Sequence, residues 1–443
     1  MTFPQGMGTQ TGPDAGARGV GGCAVMSEER WLNGPVGVDA RSRVLRTGCR
    51  SVLVVVPFVV AGTRLMDVLP LLEADHRVVV MFTVPPAPNG AMCDGAEEFV
   101  RAHGGLLLPW HQAVQCEFDL VLAASDSAVS HLHGKVLLLP HGAGSMRSRL
   151  RSRSAGPQAL PVHELDRATL MYRGRLVPSA LPLTHDDELA VLRESCPEAV
   201  PVAVVAGDIC FDRMMASVPF RDRYRGALGL REGQRLVTVT STWQPESTLG
   251  RHPDLLNRLM HELPPDGYRV AAILHPNIWA VHGPWQVRAW LADCLRAGLL
   301  LLPPEEGWRA ALVASDVVIG DYGSVTSYGA AIGVPVMLAA SLPEDYIRQG
   351  SLSEAMARRA LRLRLDRPLA DQLCTAVEAQ ENTGHVAMAE LITSRPGRAA
   401  AILRGTMYRL LGLPEPMRAA SAPPVPLPKS VAHPDGLALR EGT

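Results

Sequence analysis

Three short stretches of the chain carry residue types that could do chemistry. In the first, LLLPHGAGSMR, His141 stands directly after an apolar run. In a parallel sheet such a position lies at the carboxyl edge, where loops gather ligands. An imidazole, with an ordinary pKa of about 6.5, can take a proton from a hydroxyl near neutral pH. Gly142 and Gly144 allow the backbone behind it to turn tightly and approach a ligand. The bland alternative is a strand-ending histidine satisfied by a loop carbonyl.

The second stretch is VAAILHPN, where His275 again follows an apolar run directly. Pro276 ends the strand and fixes the backbone, so the ring is aimed. It could donate a hydrogen bond to a phosphate or a leaving oxygen, or merely cap a turn. The third is SDVVIGDYGSVTSYGAAIGVP, with Asp321, Gly323, Ser324 and Thr326 between an apolar strand and a helix of small residues. A helix start exposes N–H groups that favour an anion, Gly323 permits close approach, and Ser324 or Thr326 adds a hydroxyl. These are the mechanics of a phosphate cradle without a Walker lysine. The alternative is that Asp321 and Ser324 only cap the helix.

Composition narrows the field. Lys and Arg number 43 against 44 Asp and Glu, a net charge of −1, so no global basic field draws the chain to nucleic acid. The eight cysteines include no C-x₂₋₄-C spacing, which signals neither a zinc site nor a redox dithiol and suits reduced cytosolic thiols. No metal or cofactor is called for. The longest apolar run, Val52–Gly62, is interrupted by Pro57 and too short to span a bilayer.

Apolar runs must form the frame that positions these residues. SVLVVV (51–56), RVVVMF (77–82), DLVLAA (119–124) and VLLLP (136–140) predict strands buried on both faces. Helical stretches separate them, including one over 63–74 that Pro70 should kink or shorten. The theme repeats at RLVTVTSTW (235–243), YRVAAILHPN (268–277), LLLLPP (299–304) and the third motif. Such βαβ alternation predicts an α/β chain of two Rossmann-like domains facing across a cleft. The expected division is a disordered 1–45, a first domain over 46–212, a second over 213–412 with terminal helices, and a disordered Pro/Ala-rich tail over 413–443. Met26 is an alternative start. The arginine-rich segment 144–160 is either a solvated loop or a basic loop over an anionic substrate.

In this order the motifs resemble those of the CDP-glycerol glycerophosphotransferase family of wall teichoic acid synthesis. More distantly they are similar to nucleotide-sugar transferases and the UDP-N-acetylglucosamine 2-epimerase. The family's H-G-T motif corresponds to His141, Gly142 and Ala143, and its G-x-P-R-x-D stretch loosely to Gly207 through Asp212. Its P-T-W strand corresponds to Ser241, Thr242 and Trp243, and its H-P motif to His275 and Pro276. Its D-Y-S-S segment and following K-P strand fall on Asp321 to Ser324 and on Val334 and Pro335. The likeness spans about residues 135–340. It departs at Ala143, at Met146 where a lysine is usual, at Ile273, and at Ser327 and Tyr328 where the family has Phe-Asp.

The resemblance implies the glycosyltransferase-B architecture and a nucleotide-diphosphate-linked donor. His141 would be general base on an acceptor hydroxyl, flanked by Gly142, Gly144 and Arg147. His275 and the segment Asp321–Thr326 would hold the donor diphosphate and stabilise the departing nucleotide. Glu305 and Glu306 would either orient a ribose or stay solvated. Acceptors in this family are often lipid-linked, which implies peripheral contact at the inner membrane face of a cytoplasmic protein. Two alternatives share the scaffold: a 2-epimerase-like enzyme, and a catalytically silent nucleotide- or partner-binding protein.

Overall fold

The computed structural model describes residues 31–37, 40–42, 44–86, 95–144, 164–342, 346–383 and 386–428. Arg147 and the arginine-rich segment from 145 onward lie outside the described residues. The four-stranded and the six-stranded sheet belong to one compact unit, Leu32–Thr443.

Four apolar runs form the first sheet: β1 (Arg50–Val55), β2 (Val78–Thr83), β3 (Glu117–Ala123) and β4 (His133–Leu138). They lie parallel in the order β2-β1-β3-β4. The continuous valines of β1 are explained by burial on both faces. Val52 and Val54 pack into one layer and Leu53 and Val55 into the other, as expected of a parallel sheet covered by helices. The helix Val59–Val68 follows β1 and passes into a 3-10 turn, Leu69–Leu72, at Pro70, whose missing N–H ends the α-helical ladder. A hairpin of β5 (Met171–Tyr172) and β6 (Arg175–Leu176) and a parallel pair of β7 (Leu181–Leu183) and β8 (Ala203–Val205) complete this lobe.

The second sheet contains β9 (Arg235–Ser241), β10 (Tyr268–Leu274), β11 (Leu300–Leu301), β12 (Val317–Gly320), β13 (Val336–Leu338) and β14 (Leu361–Arg362). All are parallel, in the order β11-β10-β9-β12-β13-β14. The direction of winding reverses between β9 and β12. Loops leaving two such strands part to opposite faces and leave a crevice at the carboxyl edge.

The ends of the chain depart from expectation. Disorder is expected through residue 45, yet Leu32 exchanges hydrogen bonds of 2.8 and 3.0 Å with the Gln112 amide, and Val36 is buried in the first core. The helix Ala399–Leu411, expected with the second domain, instead packs Leu403, Met407, Tyr408 and Leu411 against the first sheet. The Asp212 carboxylate pins its start, accepting from the N–H groups of Gly397 and Ala399 at 2.7 and 3.0 Å. The Pro/Ala-rich stretch is also held, up to residue 428. Arg404 donates to the Arg418 carbonyl, Arg213 to that of Pro423 and Tyr224 to that of Val425. An extended proline-rich chain makes no internal hydrogen bonds, so its carbonyls are open to such donors. Residues 429–443 lie outside the described set.

Candidate functional site

His141 leaves β4 through Pro140 and stands at the first sheet's carboxyl edge. Its Nδ1 lies 2.7 Å from Glu164 Oε1, and its ring meets Phe58 edge-on at 5.7 Å between centroids. A carboxylate on Nδ1 places the ring proton there and leaves Nε2 as the acceptor. The two glycines behind it differ in purpose. Gly144 has φ +72°, and a Cβ there would fall 2.5 Å from Thr184 Oγ1, so its turn packs into the first lobe away from the cleft. A Cβ on Gly142 would fall 2.7 Å from Ser324 Oγ, so its missing side chain admits the opposite lobe.

Across the cleft, the β12 strand ends at Gly320 and the helix Ser324–Ala331 begins a few residues later. Asp321 is 1% exposed and its carboxylate is fully engaged. Oδ2 accepts from Thr242 N, Thr242 Oγ1 and Thr248 N at 2.8–3.0 Å, and Oδ1 accepts from Gly323 N at 2.9 Å. Asp321 therefore ties the ends of β9 and β12 together, with both carboxylate oxygens engaged by the protein. Thr326 is likewise committed: its Oγ1 lies 2.7 Å from Thr240 Oγ1 and it is buried.

That leaves the helix start itself. Gly323 is its N-cap residue and supplies no side-chain cap. Among the described residues, no protein acceptor meets the N–H groups of Ser324, Val325 or Thr326. Orphan donors with a helix dipole behind them form an anion site. Beside it, His275 caps the helix Pro276–His282, its Nδ1 accepting from Asn277 N at 3.1 Å. This bond places the ring proton on Nε2, which can donate.

His141, Gly142, His275, Asp321, Gly323, Ser324 and Thr326 line a single cleft between the two sheets, with Gly144 set back from it. Glu305 is exposed outside the cleft. Glu306 is not free to meet a ribose, because it pairs with Arg309 at 2.7 Å and accepts from Gly307 N. His141 also borders a second cavity in the first lobe, lined with Ser125, Glu164 and Glu188.

Three charged residues of this cleft, Arg64, Asp67 and Arg309, carried no signal in the sequence. Arg64 and Asp67, from the helix Val59–Val68, lie on its floor with Arg309. Arg64 pairs with Asp208 at 3.1 Å, and Arg309 with Asp67 at 2.8 Å, in pairs that are all but fully buried. Burial opposes the charge of each guanidinium, and the facing carboxylate outweighs it, so both are held well above the ordinary arginine range. Burial pushes the Cys210 thiol between them up to about 12, so it is no nucleophile near neutrality. Trp243, 42% exposed, stands at the cleft as an open aromatic surface.

No protein-family model matches the chain, and no curated protein matches it in sequence. Solved structures do resemble it. A variant of the wall teichoic acid polymerase TagF is 12% identical, with a TM-score of 0.58 over 83% of this chain and 89% of that one. A second TagF structure aligns at 11% identity and a TM-score of 0.53, covering 82% and 88%. The UDP-GlcNAc 2-epimerase of Neisseria meningitidis aligns at 15% identity over 81% and 100%, with a TM-score of 0.49, too low to bear on the fold. At the identities of TagF the likeness is one of architecture. The chain has the glycosyltransferase-B fold: an α/β protein of two Rossmann-like lobes that face each other across a cleft.

Proposed function

We propose that this protein is a nucleotide-dependent transferase, moving a glycosyl or polyol-phosphate group from a nucleotide-diphosphate donor to a hydroxyl acceptor. One observation carries this: an imidazole backed by a carboxylate and an uncapped helix start face the same cleft from opposite lobes. The first lobe takes the acceptor and the second the donor. His141 Nε2 removes the acceptor proton as the acceptor oxygen attacks the transferred carbon or phosphorus. The bond to the departing nucleotide breaks, and its oxygen keeps the electron pair. The N–H groups of Ser324–Thr326 and Nε2 of His275 stabilise that charge without covalent chemistry. TagF, which shares the fold, is named a wall teichoic acid polymerase, and one of its structures was soaked with CDPG. This supports the donor class. An acceptor carried on lipid would bring the protein to the inner membrane face, and no described helix is long and apolar enough to cross a membrane.

A specific observation favours a second reading, a binding protein without turnover: among the described residues, both guanidiniums that line the cleft are already paired with carboxylates. The epimerase-like alternative gains no support, since Asp67 and Asp321 are likewise committed.

Thermal shift with CDP, UDP, GDP and their sugar or polyol conjugates tests both. A ligand that binds only the folded state at 100 times its Kd stabilises by about 2.7 kcal/mol. A rise with one nucleotide series, together with release of that nucleotide when an acceptor is present, is the result expected of a transferase. A rise without release supports a silent nucleotide-binding protein, and silence toward every nucleotide contradicts the transferase and favours a partner-binding protein.

A further inference from the structure

We infer that the donor lobe aims His141, with Tyr328 acting through Arg64 on the two carbonyl groups that flank the histidine. The inference rests on the reading of His141 as general base and adds Tyr328 and Arg64 as positioning residues.

The flanking carbonyls are those of Pro140 and Gly142. Arg64 Nε donates to the first at 3.1 Å, and Arg64 Nη2 donates to the second. One rigid guanidinium thus bridges the residue before His141 and the residue after it. A planar fork of this kind fixes direction as well as distance. The guanidinium is itself oriented by Asp208, whose two oxygens lie 3.1 and 3.2 Å from Nη1 and Nη2. Asp208 in turn caps the helix Ile209–Ser217 by accepting from Phe211 N.

These groups belong to the first lobe and the connection that leaves it. Tyr328 does not. It sits on the helix Ser324–Ala331 of the second lobe, 2% exposed, with its hydroxyl 2.6 Å from Arg64 Nη2 and 2.7 Å from Asp208 Oδ2. The phenol has one hydrogen, which goes to the carboxylate, and its oxygen accepts from the guanidinium. Burial keeps the phenol protonated, and so a donor, well beyond the ordinary tyrosine range. Ser324, one turn earlier on the same helix, accepts from Ala143 N at 3.3 Å, and Ala143 packs into the core of the second lobe. The helix that offers its N–H groups to an anion therefore also grips the turn carrying His141. The helix start that faces the donor side and the turn that carries the base are thus held in one fixed relation. A reacting group misplaced by about 1 Å costs about a hundredfold in rate, so such placement governs turnover more than affinity.

Tyr328→Phe removes one oxygen and keeps the ring, and Arg64→Lys keeps the pair with Asp208 while losing the fork. Each is made in the full chain with ¹⁵N-labelled histidine, and the His141 ring signal is assigned by its loss in His141→Gln. In both variants the His141 signal should shift or broaden in the free protein while that of His275 stays in place. With CDP-linked donor, kcat should fall about tenfold to a hundredfold while KM for the donor changes less than about twofold. A His141 signal that matches the wild type in both variants would overturn the inference. That readout needs no substrate, so it stands apart from the transferase reading, whose own failure shows as wild-type protein that neither binds nor turns over a nucleotide donor.

Discussion

Glu164 Oε1 sits 2.7 Å from His141 Nδ1, and the residue that brings it there holds a backbone φ of 72°. A non-glycine residue in the left-handed region costs about 1 kcal/mol or more, a strain that tends to persist where the surroundings over-determine it. Here it delivers the carboxylate that fixes the imidazole's tautomer. Glu164→Gln keeps an acceptor but removes the charge, and loss of a charge-assisted hydrogen bond of about 1.5–3 kcal/mol predicts a fall in kcat of about tenfold to a hundredfold. His141→Ala should cost about 10²–10⁴-fold. Steady-state kinetics on the nucleotide series that binds checks both. Full activity in His141→Ala would strip the histidine of its role as general base.

His275 should matter to binding in the ground state and at the leaving group. His275→Ala removes a donor from beside the helix start, and nucleotide-diphosphate affinity should fall about tenfold or more. The free protein should lose only about 1 kcal/mol, the worth of the cap to Asn277 N. Titration calorimetry separates the two effects. Unchanged affinity in His275→Ala combined with Ser324→Ala would mean the phosphates lie elsewhere.

Asp321 should behave as a structural residue. Asp321→Ala orphans the N–H groups of Thr242, Thr248 and Gly323 in a buried place. Destabilisation on the order of 3–5 kcal/mol is expected in urea unfolding. A variant of wild-type stability that has lost nucleotide binding would return Asp321 to the role the sequence suggested.

The contrast between Asp321 and His141 shows how far the sequence reaches. Strands buried on both faces write themselves as unbroken apolar runs, so β1, β10 and β12 are legible, and with them the histidines and glycines at their ends. What a side chain faces depends on contacts far away in the chain. Arg64 meets Asp208 across 144 residues and Tyr328 across 264, and no local pattern encodes either pairing. Glu164 follows a stretch without periodicity. The apolar face of the helix Ala399–Leu411 does not say which sheet it covers; Asp212 at its start and the burial of Tyr408 hold it on the first. The proline-rich stretch after it reads as unable to pack because its partners are side-chain donors from other elements.

Tyr408 also gives the fold an alkaline limit. Its hydroxyl donates to Asp75 Oδ2 at 2.7 Å, and burial, with that carboxylate beside it, raises the phenol to about 12. The ordinary value is about 10. A raised folded pKa means that its contribution is whole below about pH 10 and is lost as pH rises toward 12. Asp75 shifts the other way, held far below the usual carboxylate range chiefly by Arg77, so its contribution is present at neutrality and is lost as pH falls below about 4. Melting temperature against pH should show an alkaline loss in the wild type that is smaller in Tyr408→Phe, where the buried Tyr328 phenol still contributes. Parallel curves would contradict the assignment.

Soaking a crystal of the protein with the nucleotide diphosphate that raises its melting temperature is the most direct measurement. Phosphate oxygens should lie within about 3 Å of the N–H groups of Ser324, Val325 and Thr326 and of His275 Nε2, with the transferred group toward His141. Phosphates bound away from that helix start, or a transferred group turned away from His141, would contradict a donor site shared between the two lobes.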